Sequence, residues 1–238
     1  MNLFYAEPNQ ISGNSIRLTG QEAQHAAKVL RLGKGDSIHI TDGAGSLYHC
    51  RITNTSRNVL LAEIYESDFI EPEKPELILC IGMIKKRDRL EFAIEKAVEL
   101  GAGKILIYKA DHSEKTGIRT GRFEQITLRA MKQSLRCHLP EVEAFDSLDK
   151  VIKQYQEAEI IVADETVEEK NSLISGIKSS HVLLIVGPEG GFSERERDLI
   201  DQTGCKAVSL GKYRLRTETA AITLLNHFQF IHRMTRSR

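Results

Sequence analysis

The amino-acid sequence predicts an α/β protein in which a small β-rich domain precedes a parallel sheet covered by helices. After residue 76, apolar runs of strand length alternate with amphipathic helical segments, which is the pattern of a parallel sheet. Before residue 71, short β-rich runs are separated by turn residues. Between these regions, Glu71–Pro75 contains two prolines and three charged residues, a composition that discourages both a helix and a central strand. We therefore expect two domains, at residues 1–71 and 76–238.

The bulk composition is that of a globular chain of 238 residues. Lys+Arg and Asp+Glu both number 33, so the formal net charge is zero. This excludes a simple basic protein that coats nucleic acid, although a local basic face remains open. The four cysteines are widely spaced, which argues against a zinc site or a disulfide framework and favours the cytoplasm. We expect no signal peptide, and no apolar run approaches the ~20 residues of a membrane helix, so no membrane partner is expected. The cysteine spacing gives the expectation that no metal is bound.

The first domain is predicted to contain five short strands and one helix. The helix is expected at Glu22–Leu32, where five apolar residues lie near helical spacing. The strands are expected at Leu3–Ala6, Ser15–Thr19, Ser37–Thr41, Leu47–Thr53 and Val59–Ile64. This content indicates a small barrel, an architecture that often binds RNA, although a fold alone does not establish a function.

The second domain is predicted from its alternating segments. The strands are expected at Leu77–Ile84, Lys104–Ala110, Glu159–Asp164, Leu183–Val186 and Ala207–Leu210. The helices are expected at Arg89–Leu100, Phe123–Leu135 and Leu148–Tyr155, then from a capping box of Ser193 and Glu196 to about Thr203, and from Thr217 to Met234.

Two of the predicted strands stop at glycines that are close in sequence. One is followed by Gly187–Gly191 and the other by Gly211. In an open α/β sheet, ligands usually bind at the carboxyl ends of the strands, so a cofactor site is expected here. The glycines match neither the dinucleotide fingerprint nor a phosphate loop, which disfavours a dinucleotide-dependent enzyme. A purely structural turn, in which glycine supplies positive φ, explains this motif alone equally well.

The segment Ser209–Ala220 adds basic residues to this strand-to-helix turn. Thr217 as a helix N-cap, followed by Glu218 in the first turn, accounts for two of its polar residues. It leaves Arg214 and Arg216 unexplained. Guanidinium groups at such a turn are suited to binding phosphate or the edge of a base.

With these motifs the chain resembles a known family, the bacterial 16S rRNA (uracil-N3)-methyltransferases of the SPOUT class. The resemblance rests on V-G-P-E-G-G-F at Val186–Phe192 and S-L-G-x-x-x-L-R-T-E-T-A at Ser209–Ala220. Support comes from Lys96–Gly101, Gln133–Arg136 and Val29–Asp36, so the motifs span nearly the whole chain. The resemblance implies an N-terminal PUA-like β-barrel and a C-terminal SPOUT domain with a trefoil knot. It also implies S-adenosylmethionine as cofactor, 16S rRNA or the small ribosomal subunit as partner, and a homodimer with the active site near its interface.

The resemblance also implies roles for individual residues. Arg216 or Arg214 would stabilise the uracil anion, whereas Glu218 is either a base, an arginine-orienting group or only a helix cap, and we favour the cap. The cofactor would be held by Ala163, Gly187, Pro188, Glu189, Gly190, Gly191, Ser209, Leu210, Gly211, Leu215 and Arg216. The RNA would be bound by Lys28, Arg31, Lys85, Lys86, Arg87, Arg89, Arg119, Arg122 and Arg136.

The chain departs from the family pattern at two places, one of which is Ser113-Glu114-Lys115, with lysine where arginine is usual. Tyr213-Arg214-Leu215-Arg216 stands where the family commonly has Arg-Ile-Leu-Arg. Two alternatives therefore stay open beside uracil-N3 methylation. One is methylation of another RNA base or of a ribose oxygen, and the other is an RNA-binding assembly factor without activity.

Overall fold

The computed structural model describes residues 2–113, 120–167, 177 and 179–236, with side chains as far as residue 231. By packing, the chain divides into two compact units. The first consists of Met1–Pro72 together with Met131–Leu139, and the second of Glu73–Ala130 and Pro140–Arg238. No helix in the described part of the chain is both long enough and apolar enough to cross a bilayer. The four cysteines are free thiols.

The first unit is built on a six-stranded sheet with the order β1-β4-β5-β6-β3-β2. The strands are β1 (Leu3–Tyr5), β2 (Ile11–Ser12), β3 (Ser15–Thr19), β4 (Ser37–Thr41), β5 (Ser46–Thr55) and β6 (Val59–Phe69). Strands β1 and β4 are parallel, and the other neighbours are antiparallel. All five predicted strands are present, and the two-residue β2 is an addition.

One hydrophobic core lies inside this sheet. Its residues include Phe4 of β1, Ile16 of β3, Ile40 of β4 and Leu60 of β6, each at most 1% exposed. Strands near both ends of the sheet order thus contribute to the same core, so the sheet curls around it. Two register shifts between β5 and β6 assist this, because bulges bend and twist a strand. The PUA-like domain that the sequence predicts is confirmed.

The predicted helix at Glu22–Leu32 is only partly correct. A short α1 (Gly20–Gln24) runs into a π-helical stretch at His25–Val29. Arg31 then adopts a left-handed backbone with φ of 55°, and the amide of Leu32 donates back to the carbonyl of Ala26 at 3.0 Å. This is a way of closing a helix end that usually employs glycine. It stops the helix before residue 32.

The segment Met131–Leu139 belongs to the first unit although it follows the linker by some sixty positions. Its backbone pairs with the turn after β4. The amide of Gly45 donates to the carbonyl of Cys137 at 2.9 Å, and the amide of Leu139 donates to that of Gly43 at 2.8 Å. Thr41, fully buried, also donates its hydroxyl to the carbonyl of Cys137 at 3.2 Å. The sequence did not indicate this association.

The second unit contains a six-stranded sheet with the order β12-β10-β11-β7-β8-β9, in which all neighbours are parallel. The strands are β7 (Glu76–Gly82), β8 (Lys104–Tyr108), β9 (Glu141–Phe145), β10 (Glu159–Ala163), β11 (His181–Val186) and β12 (Lys206–Val208). The helices are α2 (Arg87–Glu99), α3 (Gly121–Gln133, whose last turn lies in the first unit), α4 (Leu148–Gln154), α5 (Glu194–Gln202) and α6 (Thr217–Arg236). The α/β class with a parallel sheet is confirmed, whereas the knot stays a prediction.

Strand β9 is absent from the sequence prediction. It occupies an edge of the sheet, where it pairs only with β8 among the described strands. Two of its five residues, Glu141 and Glu143, are charged, and Pro140 precedes them. Such a sequence suits an edge strand, which needs no continuous apolar run and is protected from further pairing by charge.

Helix α5 begins at the predicted capping box. The hydroxyl of Ser193 accepts from the amide of Glu196 at 3.1 Å, and the Glu196 carboxylate accepts from the amide of Ser193 at 2.9 Å. Glu196 is fully buried and also accepts from the amide of Asp111 at 3.1 Å, just after β8. The helix start is therefore tied to the carboxyl end of a central strand.

Candidate active site

A cavity of about 360 Å³ lies where three parallel strands of the second unit end. Such a volume is typical of small-molecule sites. It is formed by the ends of β10, β11 and β12 and by the first turns of α2 and α6. Its lining consists of Arg89, Ala163, Asp164, Glu165, Val186, Gly187, Pro188, Glu189, Gly191, Phe192, Arg197, Ser209, Leu210, Gly211, Tyr213, Arg214, Leu215, Arg216, Thr217 and Ala220.

The loop after β11 lies directly against the end of β7. A Cβ atom added to Gly82 would lie 2.6 Å from the backbone nitrogen of Pro188 and 3.1 Å from the carbonyl carbon of Gly187. Only glycine fits at such a distance, because the opposing atoms are backbone. The loop itself closes as a turn, in which the amide of Gly191 donates to the carbonyl of Pro188 at 3.0 Å and Gly191 has φ of 71°.

Glu189 fixes the same loop to the next segment. Its two carboxylate oxygens accept from the backbone amide of Lys85 at 3.2 and 3.3 Å. Gly190 does not line the cavity and instead faces His112, whose Cβ would lie 3.2 Å from an added Cβ. Of the residues predicted to hold a cofactor, all except Gly190 line this cavity.

The loop after β10 contributes two charged residues, Asp164 and Glu165, and helix α5 contributes a third, Arg197; none of them was predicted from the sequence. The amide of Asp164 donates to the carbonyl of Val208 at 3.0 Å, which joins the ends of β10 and β12. Its carboxylate accepts from Arg197 Nη1 at 2.9 Å. Asp164, Glu165 and Arg197 all line the cavity. An acidic residue directly after a buried parallel strand was the signal that could have identified Asp164.

The loop after β12 supplies apolar and basic groups. Ser209 is buried, and Gly211 has φ of 133°, a backbone conformation that side chains rarely tolerate. The amide of Ala220 donates to the carbonyl of Arg216 at 2.8 Å, and helix α6 already includes Thr217. Arg216 is therefore the N-cap, and the prediction of Thr217 in that position is wrong by one residue.

The two predicted catalytic arginines differ in their surroundings. Arg214 Nε lies 3.2 Å from Glu165 Oε2, with both side chains more than half exposed, so this pair contributes little to stability. Arg216 is exposed on the cavity lining. Tyr213, where the family commonly has arginine, is 78% exposed, and its ring centroid lies 5.8 Å from Lys212 Nζ.

Glu218 has a partner that the sequence did not suggest. Arg89 Nε lies 3.6 Å from Glu218 Oε1, although the two residues are far apart in the chain. Glu218 is 8% exposed and does not line the cavity. Its Oε2 atom is buried and makes no hydrogen bond to the described residues.

The predicted RNA-binding residues fall into three groups. Lys85, Lys86 and Arg89 line a second cavity of about 400 Å³ together with Met83, His112, Ser113, Glu189 and Gly190. Arg87 and Arg122 instead share the carboxylate of Glu91, at 2.8 and 2.9 Å. In the first unit, Lys28 and Arg31 are exposed, and Arg136 lies in the segment Met131–Leu139. Arg119 lies outside the described residues.

A salt bridge fixes the wall of the second cavity beside His112. Arg195 donates to the Asp111 carboxylate at 2.8 Å, and the Ser193 hydroxyl donates to it at 2.6 Å. These hydrogen bonds, that of Arg195 first, lower the pKa of Asp111 to about 2. The carboxylate is therefore ionised throughout the physiological range. The described residues contain no group of three or more side chains suited to holding a metal ion.

Comparison with known proteins gives two family matches. The sequence model of a family described as "RNA methyltransferase domain" matches residues 71–229, and that of an "RNA methyltransferase PUA domain" matches residues 18–65. The first match covers more than half of the chain. The protein belongs to this RNA methyltransferase family.

The chain is similar to individual relatives along almost their full length. The methyltransferase is 30% identical over 234 residues to "Ribosomal RNA small subunit methyltransferase E" of Mycobacterium bovis, covering 94% of this chain and 89% of the relative. A crystal structure of a probable rRNA-methyltransferase from Porphyromonas gingivalis is 31% identical, with a TM-score of 0.83 and 98% of each chain covered. That of a Ribosomal RNA small subunit methyltransferase E from Neisseria gonorrhoeae, bound to S-adenosyl methionine, is 28% identical, with a TM-score of 0.81 and coverage of 97% and 98%.

The close approach at Gly82 gives a testable prediction for the methyltransferase. Gly82→Ala should lower the free energy of unfolding by about 1–3 kcal/mol, because the new methyl group must displace the backbone of the β11 loop. Urea denaturation measures this. Gly121→Ala is the matched control, since nothing lies within 4 Å of an added Cβ there. Equal stability of the two variants would mean that the loop does not pack against β7 as described.

Proposed function

We propose that this protein is an S-adenosylmethionine-dependent methyltransferase that methylates N3 of one uridine in the 16S rRNA of the small ribosomal subunit. The observation that carries the proposal is the cavity at the carboxyl edge of the parallel sheet, bounded by the two motifs Val186–Phe192 and Ser209–Ala220. Family membership supports the reaction class, and the relatives named for the small-subunit rRNA support the substrate. The cytoplasm, where such RNA is found, is the proposed location.

The lining of the cavity fits S-adenosylmethionine. Val186, Phe192, Leu210 and Leu215 offer an apolar surface for the adenine ring, and the backbone of three loops offers donors and acceptors for its edges. The carboxylate of Asp164 can pair with the ammonium group of the methionine moiety, and Arg214 or Arg216 can pair with its carboxylate. The cofactor-binding residues proposed are Ala163, Gly187, Pro188, Glu189, Gly191, Ser209, Leu210, Gly211, Leu215 and Arg216, with Gly190 acting through the loop backbone.

When bound, S-adenosylmethionine supplies a methyl group on a positively charged sulfur. The residues of the chain must hold the uracil ring in line with this group, since alignment supplies much of such a rate. They must also stabilise negative charge, because uracil N3 is a nucleophile only after its proton has left. Positive groups aimed at the uracil oxygens perform this task. Arg216 and Arg214, both on the cavity lining, are the proposed groups.

The acceptor uridine must reach the cavity unpaired, because N3 lies on the Watson–Crick edge of the base. Affinity for the RNA is expected to come largely from phosphate contacts. We assign these to basic residues of both units that are exposed or half-buried. They are Lys28, Arg31, Lys85, Lys86, Arg87, Arg89, Arg122 and Arg136, and Arg119 stays a prediction from the sequence.

Two exposed aromatic residues support a homodimer. Phe92 on α2 is 46% exposed and Phe230 on α6 is 63% exposed, and these two helices pack against each other. Large apolar side chains exposed together often mark an interface. We propose that a second copy of the chain covers this pair of helices.

The function is tested with small ribosomal subunits from a strain that lacks the gene. Incubation with the protein and labelled S-adenosylmethionine should place one methyl group on N3 of a single uridine, located by mass spectrometry of nuclease fragments. Large subunits are the control. Label on another base or on a ribose oxygen would establish the first alternative function. Calorimetry that detects no cofactor binding at millimolar concentration would contradict both methyltransferase functions and leave the assembly factor as the remaining alternative.

The two arginines are tested by single substitution. We expect Arg216→Ala to lower kcat about 10²-fold or more, because removing one group that stabilises a developing anion has an effect of this size. Arg214→Ala should have a smaller effect, since that side chain is already paired with Glu165. Lys212→Ala is the control, because Lys212 lies two residues before Arg214 and outside the cavity lining. If both arginine variants retain kcat within about threefold, the catalytic assignment is wrong.

The dimer is tested by light scattering. The wild-type protein should have twice the mass of 26.8 kDa, and Phe230→Glu together with Phe92→Glu should give the monomer. The new carboxylates would have to be desolvated in an apolar interface. Leu61→Glu, an exposed apolar residue of the first unit, is the control. A wild-type monomer at micromolar concentration contradicts the proposal.

A further inference from the structure

Arg89 lies at the boundary of the two cavities of the second unit. Apart from Glu189, it is the only described residue that lines both of them. Its side chain is 25% exposed, so most of it is enclosed by protein. A long cation in this position can reach a ligand in either cavity, whereas a solvated surface charge would be far more exposed.

The ion-pair partner of Arg89 is Glu218, and only one of its carboxylate oxygens has an interaction among the described residues. Glu218, in the first turn of α6, has one carboxylate oxygen 3.6 Å from Arg89 Nε and a second that is buried without a hydrogen bond to the described residues. Leaving a buried acceptor unpaired is costly, and such groups in native proteins call for an explanation. A helix cap does not provide it, because Arg216 is the N-cap and a capping carboxylate would accept from a backbone amide. A role in holding the guanidinium of Arg89 does explain why a carboxylate is kept at this position.

The second cavity has the chemistry of a nucleotide site. Lys85, Lys86 and Arg89 bring three positive charges against the single negative charge of Glu189, which is already bonded to the Lys85 amide. The other walls offer a thioether, an imidazole and a hydroxyl, from Met83, His112 and Ser113. Basic groups suit phosphate, and polarisable or flat side chains suit the face of a base.

We propose that the second cavity takes the acceptor nucleotide and that Arg89 contacts the uracil base itself at the boundary with the cofactor cavity. Arg89 is then a catalytic residue rather than a phosphate contact. It donates to a uracil oxygen and stabilises the anion that forms when the N3 proton leaves to water. Glu218 is a positioning residue that orients the guanidinium. This inference rests on the proposed function.

The conservative variant Arg89→Lys separates this role from a structural one. It keeps the charge near Glu218 but loses the fixed guanidinium geometry. We expect kcat to fall about 10²-fold, with the dissociation constant of S-adenosylmethionine from calorimetry and the KM for small subunits both within about threefold. The rise of kcat with pH should move to higher pH, because the uracil then loses its proton less readily. Glu218→Gln should shift the profile in the same direction by a smaller amount.

A substrate variant provides an independent check. Small subunits from gene-deleted cells grown with 5-fluorouracil carry a uracil whose N3 proton is more acidic, because fluorine withdraws electrons. These subunits should restore part of the kcat that Arg89→Lys loses. The control is Arg129→Ala, which removes an exposed arginine outside both cavities, and its kcat should change little with these subunits.

Other results would each contradict one part of the proposal for Arg89 and Glu218. A pH profile of Arg89→Lys that superimposes on that of the wild type, with no gain from fluorouracil, excludes the base contact. A tenfold loss of S-adenosylmethionine affinity assigns Arg89 to the cofactor cavity alone. If Glu218→Gln lowers the midpoint of thermal unfolding but leaves the pH profile of kcat unshifted, Glu218 has a structural role and does not position Arg89. A wild-type protein that methylates no uracil N3 contradicts the proposed function instead.

Discussion

The functional edge of this protein depends on one close backbone contact. At Gly82 the strand β7 lies so near Gly187 and Pro188 that no side chain fits between them. The contact places the β11 loop over the end of the neighbouring strand, and Glu189 then bonds the Lys85 amide from the same loop. One cavity opens on the β12 side of this junction and the other on the Lys85 side. Both sites therefore depend on the same few backbone atoms.

Much of this arrangement could be predicted from the sequence because it follows from local patterns. Helix α2 was predicted at Arg89–Leu100, where Leu90, Ala93, Ile94, Ala97 and Val98 recur at helical spacing, and these five residues are buried. Strands β7, β8, β10 and β11 are continuous apolar runs, as expected where helices cover both faces of a sheet. The glycine-rich stop at Gly187 pointed to the edge of the sheet at which the cavity lies. In each case the signal lies within a dozen residues.

The features that could not be predicted depend on contacts between distant parts of the chain. Nothing near Glu218 in sequence points to Arg89, so its first-turn position indicated only a cap. Asp164 and Arg197 meet because the first turn of α5 lies beside the end of β10, and neither residue has a motif of its own. Strand β9 pairs at an edge, where charge replaces hydrophobicity as the dominant requirement. The Tyr213 departure places an exposed aromatic ring, rather than a cation, in the lining of the first cavity.

The return of Met131–Leu139 to the first unit has a consequence for dissecting the molecule. The linker at Glu71–Pro75 is an obvious place to truncate the gene in order to obtain the first unit alone. Such a fragment would lack the backbone that satisfies Gly43, Gly45 and the buried Thr41 hydroxyl. Its missing segment is synthesised only after β7, α2 and β8. The first unit is therefore the first to begin, but it cannot be completed until the chain has been synthesised as far as Leu139, when much of the second unit already exists.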